Sequence, residues 1–365
     1  MLNYSNPARL WRVYGRSVFS YGSPRKLWNA IQTEVAYRRR TSDVKSRPYL
    51  LFIEPNYTCN LHCPLCQRQA YAGARTDRSK LSLENFDRLL DQLGDYLYQC
   101  HIFGLGEPLL NWNLTRQIVE KAHRRRIFTL LSTNCTVITE TLATEVMKSG
   151  LDYLVCAIDG ISQESYSKYR VGGSIEKALE GLRMFRKAQL KTRSSTVIEW
   201  QFLVHRYNYH EVEAARAMAQ DLGVFIRFAQ IGGVEWNEEL QEEWLAPDKD
   251  GFQRTRISPG AVLNPYHCFW LWRGIVVNSD GQMARCPGYQ NVATLGNVSE
   301  APVMDLYNGP ASQRSRQLFQ KEPVPEGPFP TPCSTCNYYQ REHGCGDTEG
   351  KEAPFQRTAT ASARK

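Results

Sequence analysis

The chain has 365 residues, 42% hydrophobic and 22% charged, which excludes a disordered or collagenous chain and leaves room for two domains. No run of 18 apolar residues occurs, so no membrane-spanning helix is expected; with no apolar signal-peptide core either, the expectation is a reducing, cytoplasmic setting. The formal net charge is +8, and residues 1–45 supply +7 of it, from nine Lys and Arg against two Asp and Glu.

Residues 1–47 read as a basic, aromatic N-terminal extension in which Trp28, Ile31 and Val35 have helical spacing. Two readings are open. One is a helix packed on the main domain. The other is an amphipathic basic face that meets an anionic membrane or another anionic partner, giving a peripheral membrane contact. No nucleic-acid module follows, so no nucleic-acid partner is expected.

From residue 48 to 235 strand and helix patterns alternate. YLLFIEP, CHIFGLG, FTLLSTN, LDYLVCAID, STVIEWQFLV and VFIRFAQI read as strands. Helical patterns lie between them, including LSLENFDRLLDQLG with Ser82 as its N-cap. About six βα units imply a parallel sheet with helices outside, a partial (β/α)6 TIM-like barrel of the α/β class. Its functional edge is the one formed by the C-terminal ends of the strands. Residues 236–257 are an acidic linker or surface helix. Residues 258–346 are loop-rich and carry the later cysteines, and 347–365 read as a disordered tail.

Eleven cysteines in a reducing setting point to metal or redox chemistry more than to disulfides. Cys100, Cys135 and Cys156 stand alone and are expected to be buried thiols. CNLHCPLC, residues 59–66, places Cys59, Cys63 and Cys66 directly after the first strand. Zinc and an iron–sulfur cluster both suit clustered thiolates. A structural zinc takes four protein ligands, and this loop supplies only three. Three thiolates on a four-iron cluster leave one iron open to a substrate or cofactor.

CNLHCPLC after a first strand resembles the radical S-adenosylmethionine (radical SAM) superfamily. The resemblance implies a [4Fe–4S] cluster on the three cysteines, with the amino and carboxylate groups of SAM on the fourth iron. Cleavage of SAM then yields methionine and a 5′-deoxyadenosyl radical that abstracts hydrogen from the substrate. Further motifs follow in order over roughly residues 48–235. GLGEP at 104–108 resembles the SAM amino-group motif, which nominates Gly104, Gly106, Glu107 and Pro108 for SAM. STNC at 132–135 nominates Ser132 and Asn134, with Cys135 where glycine is usual. AIDG at 157–160 nominates Asp159, with Ala157 in place of a serine. Arg170, in YSKYRVGG, matches an arginine near the SAM carboxylate, a contact that suits a guanidinium fork. Asn208 and Leu222–Val224 fit the later strand and helix.

The order C-x12-G-x4-C, LGNV, C-x2-C, from Cys268 to Cys336, resembles a SPASM or twitch auxiliary iron–sulfur domain. It implies a second [4Fe–4S] cluster on Cys268, Cys286, Cys333 and Cys336. Cys345, eight residues beyond Cys336, is a spare thiol or an alternative ligand. A zinc ribbon on the same four cysteines is the other reading. NSDGQMARC reads as a hairpin turning at Asp280–Gly281.

Together these imply a radical SAM/SPASM oxidoreductase. It would dehydrogenate a substrate or close a C–C or C–S bond while the auxiliary cluster relays an electron. Flavodoxin or ferredoxin would be the electron donor. The substrate is a small molecule, a lipid-linked compound or a peptide. The 47 residues before the barrel are short for a leader-peptide domain, which weighs against a ribosomal peptide. An epimerase is the alternative chemistry, and a non-catalytic protein with two zinc sites is the alternative class. No catalytic side chain is nominated.

Overall fold

The structure is a computed structural model that describes residues 7–70, 79–231, 238–247, 268–289, 294–320, 331–336 and 339. Six strands follow the expected segments: β1 Leu50–Ile53, β2 Gln99–Ile102, β3 Phe128–Thr133, β4 Tyr153–Ala157, β5 Val197–Val204 and β6 Phe225–Gln230. They pair in parallel, each with its sequence neighbour, as right-handed βα repeats require. β6 is an edge and does not close on β1, so the barrel is open.

The helices in chain order are α1 Pro7–Leu10, α2 Arg16–Tyr21, α3 Pro24–Arg39, α4 Gln67–Ala70, α5 Leu83–Leu93, α6 Trp112–Arg124, α7 Glu140–Lys148, α8 Gln163–Tyr169, α9 Ile175–Thr192 and α10 Val212–Leu222, with one π-helical turn, Trp11–Gly15, between α1 and α2. α11 Glu238–Trp244 and α12 Trp270–Arg273 come next, then α13 Val303–Tyr307 and α14 Pro310–Gln317. Ser82 caps α5 as expected, its hydroxyl accepting from the Asn85 amide. The apolar stripe of α5, Phe86, Leu89, Leu90 and Leu93, joins the strand side chains Cys100, Ile102, Leu131 and Cys156 in the main core. Cys100, Cys135 and Cys156 are all fully buried, as lone thiols packed like small apolar side chains would be.

Strand alternation sends the other side chains to the concave face. There Phe128, Leu130, Tyr153 and Val155 pack around Val13 of the N-terminal segment. Arg9 reaches Glu199 of β5 at 2.8 Å, with both side chains almost fully buried. The N-terminal extension therefore packs on the main domain and plugs the hollow of the open barrel.

The cysteine-rich region is less separate than expected. β7 Gly274–Val277 pairs in parallel with β1, adding to the barrel edge. β8 Gln282–Ala284 and β9 Gly296–Asn297 continue the same sheet antiparallel, giving nine strands among the described residues. The expected hairpin is present, and Gly281 takes φ 82°, the left-handed region that glycine enters without strain. Part of the expected linker is core: Trp244 is only 4% exposed and stacks among Tyr169, His205 and Tyr207. Residues 248–267, the expected tail 347–365 and Cys345 lie outside the described residues. Among the described residues no helix is long and apolar enough to cross a membrane.

Candidate active site

The loops after β1, β2 and β3 meet over the C-terminal edge of the sheet. There they line an open cleft of about 130 Å³. Cys59, Cys63 and Cys66 line one wall. Gly104, Gly106 and Glu107 line another, and Ser132, Asn134 and Arg170 complete it. The cleft thus unites these nine residues from segments 111 positions apart in the chain, from Cys59 to Arg170. Pro108 does not line it. It begins the short 3-10 helix Pro108–Asn111, and its carbonyl accepts from the Thr115 hydroxyl at 2.8 Å. Asp159 is also outside the lining and acts through Arg170.

Each loop is tied to the next. Asn60, between the first two cysteines, donates to the Thr136 hydroxyl at 2.8 Å and accepts from the Asn134 amide group at 2.9 Å. The His62 amide donates to the Val171 carbonyl, joining the cysteine loop to the segment that carries Arg170. The Glu107 carboxylate accepts from the Asn134 amide at 2.8 Å and from the Leu109 amide at 3.1 Å. Glu107 thus locks the second loop to the third rather than pointing a free charge at a ligand.

The glycines of GLGEP are required by close approach. A Cβ on Gly106 would lie 2.0 Å from the Asn56 carbonyl oxygen. One on Gly104 would lie 2.6 Å from the Glu54 side chain. Cys135, where the motif ordinarily has glycine, adopts φ 62°. That region disfavours a side chain, so the turn is held from outside it. The Thr133 hydroxyl accepts from the Cys135 amide, and the Asn134 side chain accepts from the Thr136 amide.

Arg170 donates to Asp159 at 2.6 Å and reaches the Cys63 sulfur at 3.9 Å. Burial works against the guanidinium charge, but Asp159 and Cys63 outweigh it and hold the group ionised. Burial raises the Asp159 carboxyl, and Arg170 and the Leu203 amide oppose that rise.

The three thiols suit a group that carries positive charge. Burial pushes Cys59 up to about 11 and raises Cys63 and Cys66 as well, so without a cation the thiols stay protonated. A bound iron centre reverses that by stabilising the thiolates. Among the described residues no three His, Cys, Asp or Glu side chains converge on the position of one ion. Cys59, Cys63 and Cys66 all line the cleft, so these three thiols are the residues that would hold a cluster there.

The second cysteine group also assembles. Burial raises the Cys268 thiol well above its ordinary value, and the neighbouring Cys336, Cys286 and Cys333 raise it further. The four are therefore near neighbours across three separate segments. The two groups are linked: Gln67, next to Cys66, donates to the carbonyl of Gly288, two residues beyond Cys286, at 3.2 Å. Glu54 joins the same regions, accepting from the Leu105 amide at 2.9 Å and the Ser279 amide at 3.2 Å. Neither Gln67 nor Glu54 was expected as a site residue. The position of Gln67 directly after the last cysteine was the available signal. Arg68, Gln69 and Phe103 also line the cleft without having been expected to.

Comparison with known proteins agrees with this geometry. The radical SAM superfamily matches residues 53–219, and the SPASM iron–sulfur cluster-binding domain matches residues 268–337. A PqqA peptide cyclase of Granulibacter bethesdensis is 22% identical over 326 residues, 81% of this chain and 82% of the relative. An AdoMet-dependent heme synthase of Oleidesulfovibrio alaskensis is 24% identical over 322 residues, covering 81% and 82%. Among solved structures, Streptococcus suis SuiB bound to the precursor peptide SuiA superposes with a TM-score of 0.57 at 15% identity, covering 79% of this chain and 70% of SuiB. Residues 53–219 thus match a radical SAM domain, which implies a [4Fe–4S] cluster and SAM as cofactors. With the iron–sulfur cluster-binding domain at 268–337, the chain has the domain composition of a radical SAM/SPASM enzyme.

Proposed function

We propose that the protein cleaves SAM reductively at Cys59, Cys63 and Cys66 and carries out a net two-electron oxidation of its substrate. Cys268, Cys286, Cys333 and Cys336 would hold the auxiliary cluster that takes up the second electron. When bound, the first cluster and SAM supply the 5′-deoxyadenosyl radical that removes one hydrogen atom from the substrate. A carrier of the flavodoxin or ferredoxin kind supplies the electron that cleaves SAM, the second substrate electron leaves through the auxiliary centre to an oxidised carrier of that kind, and a proton goes to solvent. The observation that supports this reading is the Gln67–Gly288 hydrogen bond, which joins the loop of the first three cysteines to the segment that follows Cys286. Arg170 orients the SAM carboxylate, and the backbone at Gly104 and Gly106 receives its amino group.

The concave face supports a substrate with an anionic group. Ala157 lines the cleft and pairs across the sheet with Gln201. Arg227 bonds both Gln201 and Glu199. Burial would raise the Glu199 carboxyl, but Arg227 and Arg9 outweigh it and keep it ionised. Burial pushes His101 down to about 3, so it is neutral. Two guanidinium groups thus meet the one Glu199 carboxylate, and Arg227 also holds Gln201, the cross-strand partner of the cleft residue Ala157. A peptide that presents a carboxylate is the second reading, favoured by the peptide cyclase relative.

Anaerobic reconstitution tests the reading. About eight irons per chain and a brown chromophore are expected. Cys63→Ala should abolish 5′-deoxyadenosine release, and Cys333→Ala should leave that release but stop product formation. Compounds with a carboxylate or phosphate should stimulate deoxyadenosine release in the wild type and fail to do so in Arg227→Gln. Bound zinc with no chromophore, or product from Cys333→Ala, would refute the proposal.

A further inference from the structure

Helix α3 is amphipathic in the reverse sense. A helix packed on a globular body normally turns its apolar side inward. Here the buried positions of α3 include Lys26, Asn29 and Thr33, and the exposed positions include Leu27, Trp28, Ile31 and Val35. Trp28 is 63% exposed. The polar side is held by specific bonds. Asn29 exchanges two hydrogen bonds with the backbone of Arg47, at 2.9 and 2.8 Å. Thr33 donates to Asn29 and meets the Ser46 hydroxyl at 2.8 Å. Lys26 donates to the Arg126 carbonyl. The helix is thus fixed by these hydrogen bonds and, at its C-terminal end, by Tyr37, which is buried in the main core against Trp272, while the stripe of Leu27, Trp28, Ile31 and Val35 stays exposed.

Large exposed apolar side chains concentrate in this part of the chain. Of eleven among the described residues, seven lie between Trp11 and Val35, including Val18 and Phe19 of α2. The charge around the stripe has one sign. Arg38 and Arg39 are exposed one turn beyond Val35. Glu34, the only acidic residue of α3, is turned away and paired with Arg273 at 2.5 Å. Arg25 is balanced by Asp95. An apolar stripe with a Trp, ended by arginines and with the nearby carboxylates Glu34 and Asp95 each paired to an arginine, has the chemistry of a helix that lies in a lipid interface. Soluble proteins seldom leave such a contiguous patch to water.

We propose that α3 is a docking face for an anionic bilayer, lying in the interface plane with Trp28, Ile31 and Val35 among the acyl chains and Arg38 and Arg39 on the headgroups. Anionic charge complements the arginines, which selects a phospholipid surface over a neutral apolar partner. The face is remote from the cysteine cleft, since none of its side chains lines it. Docking would hold the enzyme at the membrane without altering its cofactor site.

The test uses the full-length reconstituted protein and sedimentation with vesicles, either phosphatidylcholine mixed with phosphatidylglycerol or phosphatidylcholine alone. Binding is expected to the mixed vesicles and to be much weaker to the neutral ones. Arg38→Gln with Arg39→Gln should lower partitioning onto mixed vesicles about thirtyfold, from two surface charges. Trp28→Ser with Ile31→Ser should abolish binding to both. SAM cleavage in solution should match the wild type in all of these variants, which also shows that they fold. Failure of the wild type to bind mixed vesicles, or equal binding by the variants, would overturn the proposal. So would a wild-type dimer that Trp28→Ser with Ile31→Ser turns into a monomer while vesicle binding persists, since the face would then belong to a second copy.

Discussion

Replacing Asp159 by asparagine isolates the ion pair that orients Arg170. The two groups are 2.6 Å apart, and their side chains are 12% and 0% exposed, so water screens them little. Breaking a buried pair by removing one partner costs about 3–5 kcal/mol, because the other charge is left uncompensated. Asparagine keeps an oxygen for the Leu203 amide, which Asp159 now binds at 2.7 Å. Arg170 also keeps its neighbour Cys63. The loss should therefore fall at the low end, about 3 kcal/mol. For a chain of this size that lowers the melting temperature by about 4 °C. SAM affinity should fall about tenfold, as expected for a weakened charge-assisted contact of about 1.4 kcal/mol. Anaerobic thermal unfolding and calorimetric titration of the reconstituted protein with SAM measure both effects. The double variant Asp159→Asn with Arg170→Met removes both charges and should regain most of the stability while SAM binding stays weak. Stability losses that simply add in the double variant, or a single variant within about 1 °C of wild type, would refute the pairing.

Other outcomes follow from the same geometry. Gly106→Ala should be more damaging than Gly104→Ala, because its Cβ meets the fixed Asn56 backbone at 2.0 Å while that on Gly104 meets the Glu54 side chain at the longer distance of 2.6 Å. A loss of SAM binding with iron content unchanged in Gly106→Ala, and a smaller loss in Gly104→Ala, is the expected pattern; the reverse order would contradict it. Burial, with Arg170 nearby, pushes His205 down to about 4, well below its ordinary value. The unfolded chain therefore takes up protons on His205 at a higher pH than the folded chain. Its contribution is unaffected above pH about 6.5 and is lost as pH falls toward about 4, a loss of up to about 3 kcal/mol. His205→Gln should flatten that part of the stability profile in chemical denaturation, and an unchanged slope would sink the assignment.

The six strands of the barrel, the Ser82 cap and the Asp280–Gly281 hairpin were legible in the sequence because each depends on local pattern: apolar strand segments, a hydroxyl before a helix, a glycine at a turn. The cysteine loop was legible for the same reason, since three ligands within eight residues carry their chemistry wherever the chain goes. The role of Glu107 was not. Its carboxylate stands in a motif associated with SAM, and only the packing of β2 against β3 shows it spent on the Asn134 and Leu109 amides. The left-handed turn at Cys135 was hidden as well, because a cysteine there gives no hint of positive φ.

Local sequence thus determined the elements, the cluster ligands and the family resemblance, since short-range sterics and donor spacing set all of these. The tertiary structure decided what long-range pairing alone can decide. It joined β7 to β1, so that the segment between Cys268 and Cys286 extends the sheet whose first strand leads into Cys59. It drew Arg9 into the hollow of the barrel and Trp244 out of the expected linker into the core. It also turned α3 so that hydrogen bonds hold its polar side and its apolar stripe faces outward. The spacing of Trp28, Ile31 and Val35 marks a face, but which way that face points depends on partners such as Arg47, Ser46 and Arg126, which reach it only when the chain is folded.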